Sequence, residues 1–314
     1  MKRLSTVINS NLNGLRLDSA IAAADLGLSR GRARAIINLG GVYLNGKRVR
    51  IASRKVSSGD KIVVEHEDPG FVNGYDKAAD FKDEDILLIT NDFLAINKPP
   101  NLPSQPTRTQ AVNHVLSSLE RYFQGRSEKP KRMILIHRLD AGTSGVVLIA
   151  ANGSSAGWLT ELFKTQEVLK KYHAVVRGIP DRDAFCVSCR LSVNNKAGFV
   201  DVVESGGQES ITEFRVIEKY PRHDMALVEA LPRSGRTHQI RVHLAHVGYP
   251  VLGDRKYGTC ETGHLPCFIK GLITHPFLHA RLISFMPKDG RDRVEVEAPY
   301  PKDFEVMLKD LRIR

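Results

Sequence analysis

The sequence predicts an α+β chain in two parts, a large domain on a mixed, largely antiparallel central sheet and a small α+β module ahead of it. Three observations carry this reading. The 314 residues exceed one ordinary core of about 100 to 200 residues without reaching three. After Ile86, nine short apolar or alternating runs succeed one another, often with no helical pattern between them, which favours antiparallel pairing over strand and helix alternation. The positive charge is gathered at one end: residues 1–65 hold 12 Lys and Arg against 4 Asp and Glu, or +8 of the chain's +11.

Residues 13–65 read as the compact module. Asp18 is the expected N-cap of a helix over "SAIAAADLG", and Ser29 caps a second, "RGRARAIINLGG", which Gly40 and Gly41 end. "GVYLNGKRVRI" then supplies two strands around an Asn45-Gly46 turn suited to a tight hairpin, and "SSGDKIVVE" a further turn and strand. Arg30 and Arg34 share a helix face with Arg32 nearby, and Lys47, Arg48 and Arg50 follow the hairpin turn. A solvated basic surface is the plain alternative to a polyanion site. Residues 66–85 reverse the composition, with seven acids against two lysines and Pro69, Gly70 and Gly74, and read as a flexible acidic linker.

From residue 86 to 314 the expected strands are "ILLIT", "FLAIN", "RMILI", "GVVLIA", "YHAVVRG", "ITEFRVIE", "ALVEA", "LISFM" and "RVEVEA". Helices are expected at "AVNHVLSSLERYFQ", "SAGWLTELFKTQ" and "RTHQIRVHLAHVG". Hydrophobic residues at 42% and charged ones at 26% match an ordinary soluble protein. "MKRLSTVINSNLNG" lacks the apolar core of a secretory leader, and no apolar run has the length of a membrane helix, so a cytoplasmic protein with no membrane association is expected.

Several chemistries fail on spacing. Cys186 and Cys189 sit three apart on a strand, facing opposite sides, and Cys260 and Cys267 are too far apart for a zinc knuckle, so structural thiols are expected and no metal. His238, His243 and His246 do not make His-Glu-x-x-His, and "GTSGV" is not a nucleophile elbow. A kinase catalytic loop is excluded because Leu139 interrupts His-Arg-Asp.

Arg-Leu-Asp occurs twice, at Arg16 and at Arg138. Asp140 lies between two apolar runs in a hinge holding Gly142, Thr143, Ser144 and Gly145, a setting that holds a carboxylate rigid and partly desolvated. Taken locally, an Asx-turn aspartate is the commoner reading. The distant motifs change the balance. "HRLDAGTSG", "KKYHAVVRG" around Tyr172 and "SGRTHQIRVHLAHVGYPVLGDRKYG" resemble, in order and spacing, the RluA/RluC/RluD family of RNA pseudouridine synthases. "AINKPPNLPSQP", "LHARLISF" and "APYPKDF" are weaker echoes. The "RLD", "SR", "G-V-x-x-N-G" and "GD" landmarks of the module resemble the RNA-binding domain of ribosomal protein S-four and tyrosyl-tRNA synthetases.

The resemblance implies a pseudouridine synthase fold over residues 86–314 and a basic RNA-binding domain over residues 1–65, with Arg30, Arg32, Arg34, Lys47 and Arg48 contacting RNA. It implies Asp140 as the catalytic aspartate, Tyr172 as the ring packed on the target base and Arg241 as the cation paired with the aspartate. Arg138 would fill the gap left by the displaced uridine. No cofactor is implied. The partner is RNA, ribosomal RNA of the large subunit before transfer RNA, with no obligate protein partner and a monomer expected. Ala141 and Gly142 depart from the family pattern, which commonly has a charged and then an acidic residue there, and "LPSQPTRTQ" departs from its proline-histidine ending.

Overall fold

The computed structural model describes residues 2–24, 26–39, 41–49, 51–66, 80–106, 113–194, 199–258, 269, 272–288, 290 and 292–313. They belong to two compact units.

The N-terminal unit runs β1 (Lys2–Val7), α1 (Leu17–Ala23), α2 (Arg30–Leu39), β2 (Val42–Leu44), β3 (Lys47–Val49) and β4 (Lys61–His66). Its strands form an antiparallel sheet in the order β1-β4-β2-β3. Asn45 and Gly46 both take positive φ, 50° and 77°, the geometry a two-residue hairpin needs to match strand twist. Leu17, Ala20 and Ile21 of α1 and Ala33 and Ile37 of α2 bury against Val42, Ile62 and Val64.

Two expectations change here. Asp18 is not the helix cap: α1 begins at Leu17, with Arg16 at the cap position and no side-chain cap bond. Burial of Leu17 draws it into the helix, while the Asp18 carboxylate, 0% exposed, pairs with Arg16 at 3.1 Å and Arg30 at 3.6 Å. Strand β1 was not expected from "KRLSTV". Among its described side chains only Leu4 packs on the core, and backbone pairing with β4 holds the strand, which no apolar alternation in the sequence announces.

The C-terminal unit runs β5 (Ile86–Ile89), β6 (Phe93–Lys98), α3 (Val115–Tyr122), β7 (Ile134–Leu135), β8 (Ser144–Ala150), α4 (Gly153–Lys164) and β9 (Leu169–Arg177). It continues with β10 (Ala184–Asn194), β11 (Phe199–Val203), β12 (Gln208–Tyr220), β13 (Met225–Pro232), α5 (Gln239–His246), β14 (Leu278–Phe285), β15 (Val294–Glu297) and α6 (Lys302–Ile313). Its strands form one eleven-stranded sheet with the main path β11-β10-β12-β13-β9-β14-β8-β6-β5. The pairings are antiparallel except β14 with β8. The fold is therefore mixed and largely antiparallel, as the succession of strands predicts.

Of residues 66–85, expected as a linker, both ends are described. His66 closes β4, and Phe81 is buried with Leu94, Leu119 and Phe123 in the C-terminal core. An aromatic ring among acids has nowhere better to go than that core. Residues 67–79 lie outside the described residues. Helix α6 was not expected, although Phe304, Met307, Leu308 and Leu311 recur at helical spacing and bury against Val175, Leu227 and Phe277. No helix among the described residues is long and apolar enough to cross a membrane.

Candidate active site

Asp140 stands in the loop between β7 and β8, and several contacts fix that loop. Leu139 is buried, and its backbone is clasped by Ser104: Leu139 N donates to Oγ at 3.0 Å and Oγ donates to Leu139 O at 2.7 Å. Thr143 N donates to Asp140 O at 3.0 Å, closing the turn. The ammonium of Lys98, 0% exposed at the end of β6, donates to the carbonyls of Pro99, Leu102 and Ala141 at 2.8 to 3.0 Å. Burial pulls the Lys98 ammonium down to about 7, with the charge of Asp140 opposing. A Cβ on Gly142 would lie 2.7 Å from Pro276 Cδ, so close packing explains the glycine.

Tyr172 sits in the middle of β9 with Ala230 opposite on β13 and Ala280 opposite on β14. Two small neighbours leave room for its ring, which lines one cavity together with Arg138, Asp140 and Arg241, of about 100 Å³. Burial, and then the charge of Asp140, push the phenol of Tyr172 up, so it is held neutral.

Arg241 comes from α5. Its Nε and Nη2 donate to the two oxygens of Asp254 at 2.6 and 2.7 Å, and its Nη1 donates to Asp140 Oδ2 at 2.9 Å. The side chains of Arg241, Asp254 and Asp140 are 10%, 0% and 28% exposed, so the guanidinium is buried between a sequestered carboxylate and one that opens on the cavity. Burial opposes the charge on Asp254, but the hydrogen bonds and charge of Arg241 outweigh it and hold the carboxyl below its ordinary value. Backbone N–H groups of Lys256 and Tyr257 also donate to Asp254 Oδ1. One cation shared by two carboxylates leaves the trio net negative, so Arg241 orients Asp140 without cancelling its charge.

Arg138 is exposed at the cavity, its Nη2 donating to Thr237 Oγ1 at 3.2 Å. The cavity therefore brings together all four residues expected in this unit. The expected RNA contacts lie on the N-terminal unit, where Arg30, Lys47 and Arg48 are exposed and Arg34 is half-buried; the side chain of Arg32 lies outside the described residues. Arg48 donates to the Tyr43 hydroxyl at 2.7 Å and lies over its ring. Cys186 and Cys189 are free thiols on β10, and Cys260 and Cys267 lie outside the described residues. Among the described residues no group of three or more His, Cys, Asp or Glu side chains is placed to hold a metal.

Sequence reasoning missed Asp254, Lys98 and His238. Of the three histidines assigned to the helix, His243 is core, its Nε2 2.8 Å from Ser210 Oγ, but His238 lines the cavity. All three missed residues fall inside the quoted motif strings, and that was the only available signal.

Residues 92–246 match the family described as RNA pseudouridylate synthase, and residues 15–62 match the S4 domain. An uncharacterised RNA pseudouridine synthase of Mycobacterium tuberculosis is 33% identical over 98% of both chains. The chain belongs to the RNA pseudouridine synthase family. The synthase is also 29% identical, over 98% of its own length and 94% of the relative's, to ribosomal large subunit pseudouridine synthase D of Haemophilus ducreyi. A solved structure, human RNA pseudouridylate synthase domain containing 4, superposes with a TM-score of 0.59 at 26% identity, covering 72% of the synthase and 92% of that chain.

Proposed function

We propose that this synthase converts particular uridines of large-subunit ribosomal RNA to pseudouridine, with Asp140 as the essential carboxylate. The observation that carries the reading is the buried Arg241, which grips Asp254 bidentately and spends its remaining nitrogen on Asp140, in the cavity that Tyr172 lines. A protein that only binds RNA has no use for this arrangement, since burying a cation between two carboxylates carries a desolvation cost. Relatives named as large-subunit ribosomal pseudouridine synthases D and C, 29% and 28% identical over nearly the whole chain, favour that RNA over transfer RNA.

The reaction exchanges a nitrogen–carbon glycosidic bond for a carbon–carbon bond. The first bond breaks, the freed uracil turns, and its carbon 5 joins the sugar, losing one proton while nitrogen 1 gains one. Asp140 either attacks the anomeric carbon, forming an ester bond that breaks again as carbon 5 joins, or removes a proton from the 2′ carbon and returns it as carbon 5 joins. Arg241 holds Oδ2, which leaves Oδ1 for either task. Tyr172, held neutral, stacks on the uracil and hydrogen-bonds to it during the late proton removal rather than acting as a phenolate. The uridine is flipped out of the RNA to reach this cavity, and exposed Arg138 fills the vacancy. Residues 1–65, through Arg30, Arg32, Arg34, Lys47 and Arg48, supply phosphate contacts that bring RNA to the catalytic part, residues 86–314.

Pseudouridine mapping of total RNA from cells with and without the protein tests this. Loss of one or more large-subunit sites, restored by the wild-type gene but not by Asp140→Ala, is the expected result. Restoration by Asp140→Ala would overturn the catalytic role.

A further inference from the structure

His238 is held in a way that a helix end alone does not require. It precedes α5 in the left-handed region, φ 54° and ψ 17°, with no side-chain cap bond, an unfavourable backbone for a residue with a Cβ. Its Nδ1 lies 2.7 Å from the Tyr257 hydroxyl, and that hydroxyl already accepts a hydrogen bond from Val200 N at 2.9 Å. The phenol's own hydrogen is then free to point at Nδ1, which places the imidazole proton on Nε2. Nε2 faces Asp140 Oδ2 at 3.8 Å, the same oxygen that receives Arg241. Tyr257 is itself pinned: its N–H donates to Asp254 Oδ1 at 3.2 Å, and the Arg241 guanidinium lies 5.1 Å from its ring centroid.

We propose that His238 is a positioning residue of the synthase reaction: Tyr257 sets its tautomer, and its Nε2–H closes on Asp140 Oδ2 when RNA binds, leaving Oδ1 as the reacting oxygen. The proposal rests on the function given above. Closing from 3.8 Å to a hydrogen bond takes a side-chain shift of roughly 1 Å, and catalytic hydrogen bonds are often long until substrate is present. Two donors on one oxygen fix the carboxylate's rotation as Arg241 alone does not. Burial lowers the imidazole's pKa, with the charge of Asp140 opposing, in keeping with a neutral donor.

The test uses the full-length protein and total RNA from cells lacking it, grown with uridine tritiated at carbon 5, because each isomerisation releases that hydrogen to water. Asparagine tolerates the left-handed backbone, but its amide stops short of the Nε2 position; glutamine's reaches it. His238→Asn is expected to slow single-turnover tritium release about 30-fold with RNA retention on filters unchanged, and His238→Gln to recover to within about 5-fold of wild type. Tyr257→Phe is expected to slow release about 5-fold and to change the NMR shifts of the His238 ring nitrogens from the Nε2–H tautomer to a mixture. An Asn variant as fast as wild type, Asn and Gln variants equally slow, a loss confined to RNA retention, or an Nδ1–H tautomer in the wild-type protein would each overturn the role of His238. A wild-type protein that releases no tritium overturns the functional reading and this one with it.

Discussion

Arg241 shows how a single residue sets the terms for its neighbours. It contributes one charge but has three nitrogens in use, two on Asp254 and one on Asp140. Asp254 is thus the support that keeps the guanidinium aimed. Asp254→Asn preserves shape but removes the charge, leaving a buried cation whose main partner has gone. We expect a stability loss of about 3 kcal/mol, read as a lower Tm, and a fall in single-turnover rate larger than any change in RNA affinity. An unchanged Tm would show that Arg241 is solvated by other means. The motif resemblance pointed to Asp140, Tyr172 and Arg241, because each sits at a marked position in a motif string. It did not single out Asp254, His238 or Lys98, because nothing in a linear spacing says which acid, imidazole or ammonium turns inward.

Among elements, the parallel pair β8 and β14 decides where the site can be. Every other neighbour in the sheet is antiparallel, so the Asp140 loop enters β8 alongside the start of β14, with Ser144 opposite His279 and Gly145 opposite Ala280. The strands approach so closely that a Cβ on Gly145 would lie 2.2 Å from the Ala280 carbonyl, and φ there is 111°. Gly145→Ala is expected to cost roughly 3 to 5 kcal/mol and to displace the Asp140 loop, lowering both Tm and activity. A variant with wild-type Tm would mean that the strands can part without cost. Helix α5 was legible from its pattern, and so were most strands. Strand β1 was not, since among its described side chains only Leu4 packs on the core and no apolar alternation marks the strand. Strand β11 shows Val200 and Val202 turned in with Asp201 turned out, but an alternation over five residues is too short to separate from a loop.

At the scale of the whole molecule, charge and burial each make an expectation. If Arg30, Arg34, Lys47 and Arg48 all contact phosphate, changing the four to glutamine lowers the slope of log affinity against log salt by about 3. An unchanged slope would make them solvated surface only. In the C-terminal unit, burial pulls His137 and His279 down to about 3 and His173 and His243 down to about 4, against an ordinary 6.5. The folded protein keeps these rings neutral at a pH where the unfolded chain binds protons. Their contribution is therefore complete above pH 6.5 and is lost as pH falls toward 4 and then 3, by up to about 1.4 kcal/mol per pH unit for each ring. Calorimetry at pH 7.5 and pH 5 should show a clear drop in Tm, and an equal Tm would contradict it. The two-part build, the succession of strands, the concentration of charge in residues 1–65 and the order of the motifs that carry Asp140, Tyr172 and Arg241 were all legible in the sequence alone, because each is a matter of length, composition, order or spacing. The resemblance implied the pairing of Asp140 with Arg241; the tertiary structure decided that it is one bond of 2.9 Å to Oδ2, that Asp254 takes the other two guanidinium nitrogens, and that His238 Nε2 and Lys98 Nζ lie against Asp140 and its loop. Those contacts exist only once the sheet is assembled, since burial and direction, unlike order and spacing, belong to the folded chain.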